Sequence, residues 1–150
     1  MIELDKINRN ILREVESDAR ISNIDLAGKV GLSPSACLRR VQELERSEVI
    51  QGYRAVISPA VRGAEITIFV LIGLSEHLKK DAEAFELAMA ESAMVRECHN
   101  VTGSVEYLLR VEVPDLSAYK TFHADILGVQ SQVHSITSYI CLASPKDERA

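Results

Sequence analysis

Ser22-Asn23-Ile24-Asp25-Leu26-Ala27-Gly28-Lys29-Val30-Gly31-Leu32-Ser33-Pro34-Ser35 holds the start, the end and the restart of a helix within fourteen residues. Ser22 and Asp25 have the Ser-x-x-acid spacing in which a hydroxyl and a carboxylate satisfy orphaned amides, so a helix begins there with Leu26, Ala27 and Val30 inward. Gly31 supplies the left-handed backbone that ends a helix. Ser33 then caps the next one, and Pro34 takes its first position, where a missing N–H costs nothing. Upstream, Leu4, Ile7, Ile11 and Val15 form the apolar stripe of a helix over about 5–17. Two short helices joined by so tight a turn, roofed by a third, form a helix-turn-helix unit that offers its last helix to the DNA major groove.

On that last helix, Leu38, Val41 and Leu44, with Cys37 beside them, read as the inner stripe. Ser35, Arg39, Gln42 and Arg46 occupy the opposite stripe, and Arg40 flanks it. Arginine bonds guanine or phosphate bidentately, and serine with helix-terminal amides suits phosphate or base edges. The same pattern also describes a solvated helix face, and three-helix units serve as protein-binding modules too.

Beyond this unit, Gly52-Tyr53-Arg54-Ala55-Val56-Ile57-Ser58-Pro59 reads as a short alternating strand closed by proline, or else as a surface loop. The domain boundary falls here, which divides the chain into 1–52, a connection over 53–64, and 65–150. The second domain alternates: strand 66–74, helix 79–91, strands 95–102 and 106–113, helix 116–127, strand 133–142. This βαββαβ order predicts a ferredoxin-like, four-stranded antiparallel sheet with both helices on one face, and the chain as a whole is α+β. In the first strand Ile66, Ile68, Val70, Ile72 and Leu74 point one way, while Thr67, Phe69, Leu71 and Gly73 point the other. Helices cover only one face. The economical cover for Phe69 and Leu71 is the same face of a second chain, so a homodimer is expected.

The chain has 150 residues with a formal net charge of −5, so no overall basic surface advertises nucleic acid and any DNA contact is local. The charge is uneven: residues 1–52 carry −1 and residues 65–150 carry −6. Near-neutral residues 1–52 neutralise few phosphates in one copy, and a dimer doubles that number. Cys37, Cys98 and Cys141 are an odd number behind a Met1–Leu4 start without signal-peptide character, which predicts free thiols and a cytoplasmic protein. The apolar run at 66–74 is about half of the roughly 20 residues that span a bilayer, so no membrane partner is expected. Cys98 and His99 are adjacent on a strand, point to opposite faces and do not chelate one ion. His77, His123 and His134 stand singly. No nucleophile elbow, zinc-protease pair, phosphate-cradling loop or dinucleotide fingerprint is present, which argues against an enzyme, a resident metal or a cofactor.

Between two strands lies Thr102-Gly103-Ser104-Val105-Glu106. Gly-Ser is an adequate hairpin turn and nothing more need be read into it. The alternative is an amino-acid site, in which glycine allows close approach to exposed N–H groups and Glu106 faces an ammonium.

The blocks Leu4-Asp5-Lys6-Ile7-Asn8-Arg9-Asn10-Ile11-Leu12, Arg20-Ile21-Ser22-Asn23, Val30-Gly31-Leu32-Ser33-Pro34-Ser35, Cys37-Leu38-Arg39-Arg40-Val41 and Ile50-Gln51-Gly52-Tyr53 together resemble the N-terminal domain of the Lrp/AsnC (feast/famine) transcriptional regulators. The segments 97–109 and 113–119 resemble that family's effector-binding module, and the likeness runs from about Leu4 to Leu142. The resemblance implies a winged-helix-like unit whose recognition helix begins at Ser33-Pro34. It also implies a hinge strand paired with its copy, and assembly into dimers, tetramers or octamers. It further implies a sequence-specific regulator of double-stranded DNA, tuned by an amino acid bound at a protomer interface. Carried over, the DNA-contacting set is Ser33, Pro34, Ser35, Arg39, Arg40, Gln42 and Arg46. The effector set is Gly103, Ser104 and Glu106, with Ser138 and Ile140 on the last strand. The family usually has Asp where this chain has Glu106, and the extra methylene moves the carboxylate or forces another rotamer. The rival reading is an amino-acid-binding regulatory subunit of an enzyme, its helical unit docking on protein.

Overall fold

The computed structural model describes residues 4–75 and 78–147. Residues 1–3 and His77, read above from sequence, lie outside them. The chain forms two compact units divided between Ala55 and Val56, inside the 53–64 connection.

The first unit contains α1 (Lys6–Ser17), α2 (Asn23–Val30) and α3 (Pro34–Arg46). Asp5 caps α1 by accepting the Asn8 amide at 2.7 Å. At α2 the Ser22 hydroxyl accepts the Asp25 amide at 3.1 Å and donates to the Asp25 carboxylate at 2.6 Å, so the carboxylate takes the hydroxyl. Gly31, at φ 73°, closes α2 with its amide on the Ala27 carbonyl. Ser33 caps α3 through the Ala36 amide, and the Asn23 side chain donates to the Pro34 carbonyl at 2.8 Å, which pins the start of α2 to the start of α3. Ile11, Leu26, Ala27, Cys37 and Leu44 form the buried core.

Leu38 is not part of that core. It is 47% exposed, which corrects its assignment to the inner stripe. Steps of three residues fall about 60° short of a full helical turn, so a stripe through Leu38, Val41 and Leu44 winds off the core. Cys37 and Leu44 hold the centre instead.

Residues 51–58 enter no ladder within the chain among the described residues; the pairing expected of them is with a second copy of the chain. A 3₁₀ turn, Pro59–Arg62, follows and is capped by Gly63 at φ 65°.

The second unit contains β1 (Ile66–Leu74), α4 (Lys79–Glu91), β2 (Val95–Asn100), β3 (Tyr107–Val113), α5 (Leu116–Phe122) and β4 (Val133–Ile140). The strands form one antiparallel sheet in the order β2-β3-β1-β4. After α5 the chain makes a π turn over His123–Leu127, so the expected helix to residue 127 changes its winding at its last turn. Both β2 and β4 stop two residues earlier than the sequence suggested, and β3 starts one later.

Ile68, Val70, Ile72, Tyr107, Leu109 and Val111 are buried beneath Phe85 and Met89 of α4 and Phe122 and Leu127 of the α5 end. The Tyr107 hydroxyl reaches the Glu86 carboxylate at 2.7 Å. Burial, helped by that hydrogen bond, pushes its phenol up to about 12.

On the other face, Phe69 stands between Arg110 and Tyr139, and Leu71 between Leu108 and Thr137. Gly73 pairs with Ser135 there, and a Cβ on it would come within 2.7 Å of the His134 ring. The carboxylate of Glu112 is only 5% exposed, with Arg110 at 2.7 Å and Arg96 at 3.6 Å. Cys98 pairs with Leu109 and His99 with Leu108, on opposite faces. Among the described residues, no group of three or more His, Cys, Asp or Glu could hold a metal ion, and no helix is long and apolar enough to cross a membrane.

Candidate nucleic-acid interface and effector cleft

The exposed arc of α3 follows from what its other side must do. Cys37 and Leu44 are fully buried, which turns Ser35, Arg39, Gln42 and Arg46 outward. Burial raises the Cys37 thiol above its ordinary range, so it is a packing residue. Ser33 and Ser35 lie together at the N-terminus, their hydroxyls 3.3 Å apart, with Pro34 exposed between them. Arg46 pairs with Glu43 one turn back and is 71% exposed.

Arg40, expected on the DNA-facing flank, is tied to α1. Its Nη1 donates to Asp5 at 2.7 Å and to Asn8 at 2.9 Å, joining the middle of α3 to the start of α1. The Asn8 amide and, next, the Arg40 guanidinium hold the Asp5 carboxyl below the usual aspartate range. Arg39 makes no ion pair among the described residues. A cleft of about 270 Å³ lies between these helices, lined by Asn8, Arg39, Arg40, Glu43 and Arg46. A charge-aware reading of the sequence could have paired Arg40 with Asp5, because both fall on faces that a three-helix unit packs together.

In the second unit, the β2–β3 connection spans residues 101–106 and is wider than a two-residue Gly-Ser turn. The Val101 amide donates to the Glu106 carbonyl at 2.9 Å and closes its base. Gly103 sits at φ 145°, a backbone that L side chains rarely adopt. The Glu106 carboxylate accepts the Leu74 amide at 2.6 Å, and its own amide donates to the Ile72 carbonyl. A cleft of about 320 Å³ opens here, lined among others by Gly103, Glu106, Asn100, Leu78 and Lys79. Sequence reading found Gly103 and Glu106. It missed Asn100, which ends β2 at the foot of the loop, and Lys79, which only the packing of α4 beside the loop brings to the same place. Ser104 is exposed on the loop and outside the lining.

Ser138 and Ile140 do not join this cleft within one chain. They pair with Val70 and Ile68, further along β1, and Ser138 meets the Tyr119 hydroxyl of α5. Two polar clusters therefore lie on the sheet, one at the loop and one under α5.

Residues 4–51 match a family model described as winged helix-turn-helix DNA-binding, and residues 67–150 match one described as the Lrp/AsnC ligand binding domain. The leucine-responsive regulatory protein of Escherichia coli (strain K12) is 40% identical over 144 residues, covering 96% of this chain and 88% of its own length. A transcriptional regulator from Neisseria meningitidis, solved with L-methionine, superimposes with a TM-score of 0.92 at 30% identity, covering 97% of this chain and 94% of that one. The feast or famine regulatory protein of M. tuberculosis, complexed with L-methionine, gives a TM-score of 0.85 at 32% identity, covering 99% and 98%. By sequence and by fold, this chain belongs to the Lrp/AsnC family of DNA-binding transcriptional regulators.

Proposed function

We propose that α3 enters the major groove of an operator with Ser33, Pro34, Ser35, Arg39, Gln42 and Arg46 toward DNA, and that an amino acid bound in the second unit tunes the affinity. The observation that carries this reading is the exposed arc of α3, where Arg39 makes no ion pair among the described residues while Arg40 is spent on Asp5 and Asn8. Arg40 accordingly acts by holding α3 against α1.

The 101–106 loop has the complementary parts for an amino acid. Glu106 supplies a carboxylate for the ammonium, and Lys79 with the amides at the start of α4 suits the carboxylate group. Gly103 and Ser104 offer backbone and hydroxyl donors, and Ser138 and Ile140 contribute from a neighbouring protomer. The methionine in two related structures supports an amino acid as the ligand class.

The half-buried Phe69 and Leu71 support a homodimer through the open sheet face, the arrangement that doubles the number of α3 helices. Further assembly into tetramers or octamers follows the same logic. The protein acts by binding alone, needs no resident cofactor, and works in the cytoplasm, where its DNA and its free thiols are both at home.

The effector acts only by binding two arrangements of the assembly unequally, which changes the spacing of paired helices. Gel-shift titration on the gene's own upstream DNA, with each of the twenty amino acids added in turn and molar mass followed by light scattering, tests the whole reading. Salt-sensitive, competitor-resistant shifts altered by one or a few amino acids are expected. Absence of any shift at low salt favours the regulatory-subunit reading instead.

A further inference from the structure

Leu38 is the large apolar side chain that α3 leaves exposed, at 47%. It lies three residues after Ser35 and four before Gln42, so it is a surface neighbour of both along the exposed side of the helix. Cys37 and Leu44 fill the core beneath, at 0% exposure each, so core packing does not account for Leu38. Its exposed neighbours carry a hydroxyl and an amide, the groups that hydrogen-bond to base edges. Among the groups that base pairs present in the major groove, the apolar one is the 5-methyl of thymine.

We propose that Leu38 is a specificity-determining residue that packs against the 5-methyl group of a thymine in each operator half-site, with Ser35 and Gln42 on the adjoining base edges. This inference rests on α3 being the helix that reads DNA. It predicts that the operator requires thymine at one position for its methyl group, independently of its Watson–Crick pairing.

The test uses the full-length protein and a duplex enriched from a random-sequence library by the wild type. Each thymine is replaced in turn by deoxyuridine, which removes only the methyl. Wild-type affinity is expected to fall about fourfold at one thymine per half-site, the worth of burying one methyl-sized apolar group. Leu38→Ala should bind the thymine duplex more weakly by a comparable factor and show no additional loss with deoxyuridine. Leu38→Gln provides a second variant that keeps the length and removes the apolar contact. Circular dichroism melting confirms that each variant is folded, and a half-exposed position tolerates both.

Equal deoxyuridine penalties in wild type and in the folded variants, or an enriched motif with no thymine whose methyl matters, overturn the role of Leu38 while DNA reading stands. Failure of the wild type to enrich any sequence overturns DNA reading itself, and the role of Leu38 with it.

Discussion

Arg39 and Arg40 are adjacent in sequence, yet one helical step places the first among exposed groups and the second on Asp5 and Asn8. Counterion release separates their roles. Arg39→Gln should reduce the magnitude of the slope of log affinity against log salt by about 1 per bound protomer, because a phosphate contact is lost. Arg40→Gln should weaken binding with the slope unchanged, since its charge is already neutralised inside the fold.

Asp5 adds a pH signature. Its folded pKa is lowered, so the stability it contributes is complete above the ordinary value of 3.8 and disappears as the pH falls through the lowered folded value. Asp5→Asn keeps a capping side chain and removes the charge. Urea midpoints of wild type and variant should therefore differ at pH 6 and converge toward pH 2.

Among the described residues, Glu48 is the non-glycine residue with positive φ, at 57°, just beyond the end of α3. Glu48→Gly should stabilise the chain by about 1 kcal/mol in a urea titration, by relieving a left-handed backbone that glycine adopts freely.

Periodicity and punctuation were enough to place α1, α2, α3, β1 and α4, because each has a cap or stripe set by its own residues. Ser22, Gly31 and Ser33-Pro34 all act where the local code puts them. The failure sits where packing decides. Leu38 fits a stripe that helical winding carries off the core. The candidate effector loop was legible in part. Gly103 and Glu106 are local signals, whereas Lys79 reaches the cleft only through the packing of α4.

Within that loop, Glu106 accepts the Leu74 amide, and the proposed site gives it a second, separable job, presenting a negative charge to a ligand. Glu106→Ala should lose both, lowering stability by about 1–3 kcal/mol through an orphaned amide and abolishing the amino-acid response in gel shifts. Glu106→Gln retains an acceptor for the amide, so stability should recover most of that loss while the response remains absent. A response that survives in Glu106→Gln would move the ammonium site elsewhere.

At the scale of the whole molecule, the sheet is unequally finished. One face buries Val70, Ile72, Leu109 and Val111 under two helices, and the other leaves Phe69 and Leu71 half-covered among Leu108, Thr137 and Tyr139. In the proposed homodimer a second copy completes the burial and links two DNA-reading units, so affinity for a two-half-site operator depends on the pairing itself. Leu71→Lys probes that dependence with little cost to the single chain, because a lysine at a half-exposed position can extend its ammonium into water. Across a dry dimer face, the same substitution buries an unpaired charge from each chain. Light scattering should then report at most half the wild-type molar mass or a strongly concentration-dependent one, with an unchanged far-UV spectrum. Affinity for a two-half-site duplex should drop about 10²- to 10⁴-fold, the range lost when two linked binding events become independent, while affinity for a single half-site stays put. If the variant keeps the wild-type mass, the open face of the sheet is not where the chains meet.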